Sequence, residues 1–446
     1  MRGQMRTFYI VWFGQLVSSL GSALTSFAVG LWLFTEGGSV TAFALNNVFY
    51  LVPWALLSPV AGAYVDRYNR RKIMLIADSV QALASLFIAL FIFADGLQIW
   101  HVYIAVALSS AAGAFQGPAW SASIPLIVPK SQLGRASGMG NIGSSVGRLI
   151  APAAAGVLIL VIGLGGIVLI DFVTFLVAVT ALLFVHIPDP PREDKAEDEE
   201  QSNVFQDFLF GIRYLYVRRG LFLLVVVGSL RNLFQNMATV LTVPMMLTFT
   251  NEAVVGTVFS IAMSGMLIGT LLITAWGGPQ RRVPWVAGVL IVQGLAIAVI
   301  GWQPTIAYVI GGGFVMFFSF AFLSALLPPI RQTKVALDVQ GRVTATMIFL
   351  AVILEPLGHA IVGPLADNFF EPWMAAGGAL SSSFGLLLGV GPGRGMGLIF
   401  VICGLIVSGL GLFTILHPRI RRLEIELPDV IPDDPLDEVE VQAVTA

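Results

Sequence analysis

Apolar residues in this chain fall into blocks of about 20, the length a helix needs to cross roughly 30 Å of hydrocarbon, and the blocks recur from one end to the other. They mark twelve spans, at 8–34, 41–64, 73–94, 101–124, 137–161, 164–187, 221–247, 253–276, 283–302, 305–328, 343–366 and 396–417. The first block is too long for a cleaved leader and has no small-x-small cleavage site, so it is expected to remain as span 1. Two spans carry polar residues at intervals of three and four, which gathers them on one helical face. In span 1 these are Gln15, Ser18, Ser19, Ser22, Thr25 and Ser26; in span 7 they are Arg231, Asn232, Gln235, Asn236, Thr239 and Thr242. Small hydroxyls serve either as packing contacts between membrane helices or as cavity lining, and both readings stand for span 1. An arginine among three carboxamides is too polar for lipid, where a central charge costs ~3 kcal/mol or more on insertion scales. Span 7 is therefore expected to face a cavity.

Composition agrees with this pattern. With a mean hydropathy of +0.87, 57% hydrophobic residues and 11% charged residues, a chain of 446 residues could not cover its surface in water. The net charge of −2 gives no pull toward nucleic acid, so the positions of the charges matter more than their sum. Of 24 basic residues, all but Arg148, Arg231 and Arg394 fall at the termini or in even-numbered loops, such as Arg67, Arg70, Arg71 and Lys72 after span 2. Arg148 and Arg231 lie within spans and Arg394 in an odd-numbered loop. Because short basic loops stay cytoplasmic, this distribution predicts twelve crossings with both termini in the cytoplasm. The expected divisions are a six-helix bundle over 1–187, a charged linker over 188–219 carrying an amphipathic helix from Phe205 to Arg219, a second bundle over 220–418, and an acidic cytoplasmic tail over 419–446. From Glu424 onward the tail has acidic and no basic residues and reads as solvated chain.

The two halves show a faint repeat. Gly134-Arg135 at the start of span 5 and Gly341-Arg342 at the start of span 11 are 341 − 134 = 207 residues apart, and the same shift carries Arg148 onto Glu355 and Gly156 onto Gly363. Patterns known from soluble enzymes do not survive their context. Gly138-Met-Gly140-Asn-Ile-Gly143 and Gly143-Ser-Ser145-Val-Gly147 both need a strand leading into a turn, whereas here they open an apolar helix. There is no phosphate-binding loop for ATP, His101, His186, His359 and His417 are too scattered for a metal site, and Cys403 is the single cysteine. No enzyme chemistry, cofactor or metal is expected.

The loop after span 2 reads Gly62-Ala-Tyr-Val-Asp66-Arg67-Tyr-Asn-Arg70-Arg71-Lys72. It resembles the G-x-L-x-D-R-x-G-R-K signature of the major facilitator superfamily, at the place where that family carries it. A degenerate copy without the acid, Gly277-Gly-Pro-Gln-Arg281-Arg282, follows span 8. Phe115-Gln-Gly-Pro118-Ala119, Ile124-Pro125, Val128-Pro129, Leu133 and Gly363-Pro-Leu-Ala-Asp367 further resemble bacterial drug:proton antiporters of the macrolide efflux and enterobactin exporter type. The antiporter signature G-x-x-x-G-P-x-x-G-G is partly matched by Gly147-Arg-Leu-Ile-Ala151-Pro152-Ala-Ala-Ala-Gly156. The resemblance implies an all-α membrane protein with twelve helices in two pseudo-symmetric six-helix bundles. It also implies a monomer in the bacterial inner membrane, surrounded by membrane lipids, that moves a small-molecule substrate against a flow of protons. Gly62, Asp66, Arg67, Arg70 and Arg71 would form its gating motif, with the Asp66 carboxylate at the positive N-terminal end of span 11 near Arg342. A role as positive-inside anchors is the alternative for Arg67, Arg70 and Arg71, and it is the preferred reading for Arg71 and Lys72.

Ionisable groups inside spans usually face cavities or pair with one another. Arg148, Asp171, Arg231 and Glu355 are such groups, and Asp78 lies about one and a half turns into span 3. Glu355, Arg148, Asp171 and Asp78 are the candidate proton-coupling residues, with Glu355 first; a structural ion pair is the alternative for Glu355, and local charge balance for Asp78. Gln15, Ser19, Ser22, Arg231, Asn232, Gln235, Asn236 and Thr239 are the candidate substrate-cavity residues. Phe314, Phe317, Phe318, Phe320 and Phe322 in span 10 would suit an apolar or aromatic compound if some face the cavity. The expected activity is proton-coupled efflux by alternating access. Import or lipid flipping on the same fold is the alternative, and a non-transporting receptor or scaffold fits poorly with the polar stripes.

Overall fold

The computed structural model describes residues 2–129, 132–185, 187, 204–336 and 339–426. His186, most of the linker (188–203) and the tail beyond 426 lie outside the described residues, as do the side chains of Asp66 and Arg148. The described residues form helices joined by short turns: α1 (Arg2–Gly37), α2 (Val40–Arg67), α3 (Arg70–Phe93), α4 (Ile99–Ile127), α5 (Leu133–Leu183), α6 (Val204–Val217), α7 (Arg219–Leu247), α8 (Glu252–Trp276), α9 (Val283–Trp302), α10 (Ile306–Lys334), α11 (Gln340–Val352), α12 (Glu355–Leu365), a π-helical stretch Ala366–Phe370, α13 (Glu371–Met374), α14 (Gly385–Leu388), α15 (Arg394–Leu416), α16 (Pro418–Arg421) and α17 (Leu423–Glu426).

Eleven of these helical segments are long and apolar enough to cross a membrane. One crosses twice. α5 has 51 residues, which at 1.5 Å per residue would reach about 75 Å, well over twice the hydrocarbon thickness. It turns at Gly163, whose φ of 66° and ψ of 178° lie outside helical geometry and outside what a side chain tolerates, so spans 5 and 6 are its two limbs. The fold is thus the twelve-span arrangement expected from the sequence, with α1 starting and α15 ending on one face. We call that the terminal face and the opposite one the far face.

Helix starts follow side chains that accept otherwise orphaned amide protons. Ser39 Oγ accepts from Ala42 N at 3.0 Å to open α2, Asn69 Oδ1 from Lys72 N at 2.9 Å to open α3, and Asn251 Oδ1 from Val254 N at 3.0 Å to open α8. Span 11 departs from expectation. Its hydrogen-bond ladder is interrupted between α11 and α12, just before Glu355-Pro356, because the proline has no N–H to donate, while Ile353 and Leu354 keep right-handed helical angles. Arg394 also departs. It is the first residue of α15, only 2% exposed, with Nη1 donating to Leu388 O at 3.1 Å and the Glu371 carboxylate nearby, so it is a buried structural cation and not a loop charge. At the other end Glu424 is folded into α17, where its two carboxylate oxygens accept from Arg282 N (2.7 Å) and Val283 N (3.2 Å) at the start of α9.

α6 lies on the terminal face and packs on α11, with the Phe208 and Phe349 rings 5.1 Å apart and Gly211 against Thr346. The two halves meet along two seams near the far face. In one, α5 packs on α8 with Gly156 against the backbone of Glu252 and Ala253, Gly256 against that of Pro152, and Ala153 N donating to Ser260 Oγ at 3.1 Å. In the other, α2 packs on α12. Among the described residues α2 reaches span 11 mainly through α12, its far portion, rather than α11.

Candidate transport site

The polar face of α1 meets two buried carboxylates. Asp78 on α3 is fully buried, accepting Gln15 Nε2 at 2.8 Å on one oxygen and Gln116 Nε2 at 3.1 Å on the other, while Gln116 also donates to Gln15 Oε1. It therefore belongs to a carboxamide cluster and not to the basic loop after span 2. Asp171, on the second limb of α5 and 3% exposed, accepts Ser22 Oγ at 3.1 Å and Ser85 Oγ at 2.7 Å. Gly21 makes this approach possible, since a Cβ there would stand 3.0 Å from the Asp171 carboxylate. Among the described residues, the hydrogen bonds to these two acids come from neutral side chains. Ser19, Ser22, Asn46, Tyr50, Gln116 and Asp171 are among the residues lining a polar cavity of about 610 Å³ inside the N-terminal half.

In the C-terminal half the polar residues of α7 divide between two directions. Arg231, 6% exposed, turns inward, its Nε donating to Gln293 Oε1 and its Nη1 to Asn232 Oδ1, both at 2.8 Å, with the Phe320 ring 5.1 Å from the guanidinium carbon. Gln293, fully buried on α9, passes the network on to Gln235 Oε1 at 3.4 Å and Met316 O at 3.2 Å. Glu355 lies within electrostatic range of Arg231, with Asn236 near its carboxylate. An apolar cavity of about 360 Å³ adjoins this group, with Leu224, Leu290, Phe320 and Met347 on its walls.

Asn236 and Thr239 take the other direction and line a cavity of about 390 Å³ between the halves. The facing wall carries Ser26, Phe27, Phe43, Asn46 and Asn47, and the near wall adds Phe259, Met263 and His359. His359, one turn beyond Glu355, is 8% exposed and its Nδ1 has no hydrogen-bond partner among the described residues. Asn46, Asn47, Gln116, Gln293 and His359 were not picked out by periodicity, because each stands singly or paired in an otherwise apolar run. The signal available was the spacing of four between Glu355 and His359.

Of the gating motif, Arg70 Nη1 donates to Ala122 O at 2.8 Å, and Arg71 donates to Leu182 O at 2.7 Å and Leu183 O at 2.8 Å, where a cation answers the free carbonyls at the end of α5. Arg67 is exposed, and a Cβ on Gly62 would meet nothing within 4 Å. The side chains of Asp66 and Arg148 fall outside the described residues.

Residues 11–347 match the sequence profile of the Major Facilitator Superfamily. The chain belongs to that superfamily. It is a multi-pass membrane transport protein and not an enzyme. Among curated relatives of this superfamily, macrolide efflux protein A of Streptococcus pyogenes is 30% identical over 385 residues, covering 84% of this chain and 93% of the relative. Multidrug efflux pump Tap of Mycolicibacterium fortuitum is 23% identical over 80% of this chain and 88% of its own length. Among solved structures, a bacterial homolog of the human lysosomal transporter Spinster, in an inward-facing and unoccupied conformation, superposes with a TM-score of 0.70 over 94% of this chain and 97% of that one at 14% identity.

Proposed function

We propose that this transporter exports a small apolar or amphipathic compound against a gradient, driven by protons and working by alternating access, with the terminal face in the cytoplasm. The observation that carries the reading is Asp171: a carboxylate deep in the bilayer region, bonded among the described residues by neutral hydroxyls, on the wall of a polar cavity. Such a group avoids the ~3 kcal/mol or more of an isolated intramembrane charge by taking a proton, and can give that proton up when the cavity is wet. Glu355 is the weaker carrier because Arg231 already answers its charge. One proton moving inward across 100 mV supplies about 2.3 kcal/mol, enough to drive an uphill step. The cavity between the halves, with aromatic rings, Met263 and three asparagines, suits an amphipathic guest, and relatives named for macrolide and multidrug efflux support the same direction.

The test is a drug-susceptibility and accumulation assay in expressing cells, with a macrolide in the panel. Expression should lower accumulation, and a protonophore should abolish the effect. Asp171→Asn, which mimics the protonated acid, should eliminate uphill efflux while keeping substrate exchange in proteoliposomes. Uphill efflux by Asp171→Asn at the wild-type rate would overturn the assignment.

A further inference from the structure

The seam between α2 and α12 closes on one side chain. Asp367, in the π-helical stretch that follows α12, accepts Val40 N at 3.0 Å, Thr41 N at 2.8 Å and Thr41 Oγ1 at 2.7 Å, across 326 residues of sequence. Val40 and Thr41 are the first two residues of α2, so these amides have no partner within their own helix, and they stand at its positive end. The next amide, Ala42 N, is taken by Ser39 from the same half. One half thus supplies part of the N-terminal cap of a helix in the other.

Two further contacts show that this meeting is built. Gly363, one turn before Asp367, lies so close to α2 that a Cβ would stand 2.9 Å from Thr41 N. One turn after it, Glu371 accepts Gly393 N at 2.9 Å and Met396 N at 2.8 Å, capping α15 within the C-terminal half. The same stretch therefore carries two acids, one serving its own half and one reaching across. Their separation of roles is favoured by a π turn, a feature that recurs at functional positions.

We infer that Asp367 is the gate residue of the far face: its carboxylate bridging to the start of α2 holds the two halves closed there, and breaking that bridge opens the far side. The inference rests on the alternating-access reading above. It also makes the gate separable from helix stability, because Asp367 acts between halves and Glu371 within one.

Spin-label distances test this without any substrate. In a Cys403→Ala background, labels at Thr35 and Gln303 report the far face, and labels at Tyr68 and Arg281 report the terminal face. Asp367→Asn, which removes the charge and one of two acceptor oxygens, should lengthen the far distance and shorten the terminal one, moving the ratio of the two populations by up to about fivefold, as loss of a negative charge at a helix N-terminus would. Thr41→Val, which removes one of three donors and leaves the backbone unchanged, should shift the ratio the same way by less, and covers the case in which Asp367→Asn folds poorly. Glu371→Gln should lower the melting temperature while leaving the ratio unchanged. Distance distributions unmoved by both Asp367→Asn and Thr41→Val, or moved equally by Glu371→Gln, would overturn the inference. Failure of macrolide efflux with these shifts intact would count against the proposed substrate alone.

Discussion

A buried guanidinium is costly wherever its donors go unpaired; among the described residues Arg231 Nη2 has no partner, and the residues that take Nε and Nη1 come from different depths of sequence legibility. Asn232 is its neighbour on α7 and belongs to a stripe visible in the sequence, whereas Gln293 is a lone carboxamide in an apolar span. Nothing in one sequence says which partner Gln293 seeks, although a single amide in a hydrocarbon-length run must find one. The pairing has an energetic consequence. Gln293→Leu leaves the Arg231 Nε buried and unpaired and should cost about 1.5–3 kcal/mol of stability, read as a lower melting temperature in detergent. Arg231→Met, which removes the charge together with its needs, should be better tolerated in folding. The reverse order would mean that Arg231 is held by contacts other than this network. The same limit applies to Asp78, placed by its sequence neighbours near a basic loop but by the fold between Gln15 and Gln116.

At the scale of elements, the spans themselves were legible because each needs about 20 apolar residues, and that requirement leaves a plain trace. Interruptions were less so. The break before Glu355-Pro356 follows from the missing N–H of proline, yet a proline inside a membrane helix more often kinks than divides it. The seam between α5 and α8 depends on glycines for close approach, and Gly156 was visible only as part of a partial motif and of the faint repeat with Gly363. Gly256→Val would drive a side chain into the Pro152 carbonyl, which should cost about 1–3 kcal/mol and open the far face. Gly228→Ala offers the contrast: a Cβ there meets nothing within 4 Å, and the helix should gain up to about 1 kcal/mol. Thermal melting with the far-face distance pair separates the two outcomes, and equal behaviour would remove the seam as a close-packed contact.

Over the whole molecule, the sequence carried the number of crossings and the separation into halves, since both follow from local composition. It did not carry the contacts between halves. Those depend on which conformation the transporter occupies, and Asp367 and Val40 stand 327 residues apart with no local pattern linking them. Arg394 shows the related difficulty that a charge at a span's edge reads as loop until its burial, and the Glu371 carboxylate near it, are known.

The turn at Gly163 bears on how the protein is made. From Val157 to Ile170 the residues are apolar or glycine, so the connection between spans 5 and 6 contains no hydrophilic loop. Nothing polar has to be carried through the bilayer for this pair to enter, and the two limbs can leave the insertion machinery together as a helical hairpin. Gly163 is what keeps the nascent segment from continuing as one rod. Replacing it with leucine should favour a single crossing and invert every span that follows, which a reporter fused after residue 446 would register as a change of membrane side. An unchanged reporter would place the turning signal elsewhere in the run, with Gly165 and Gly166 next in line.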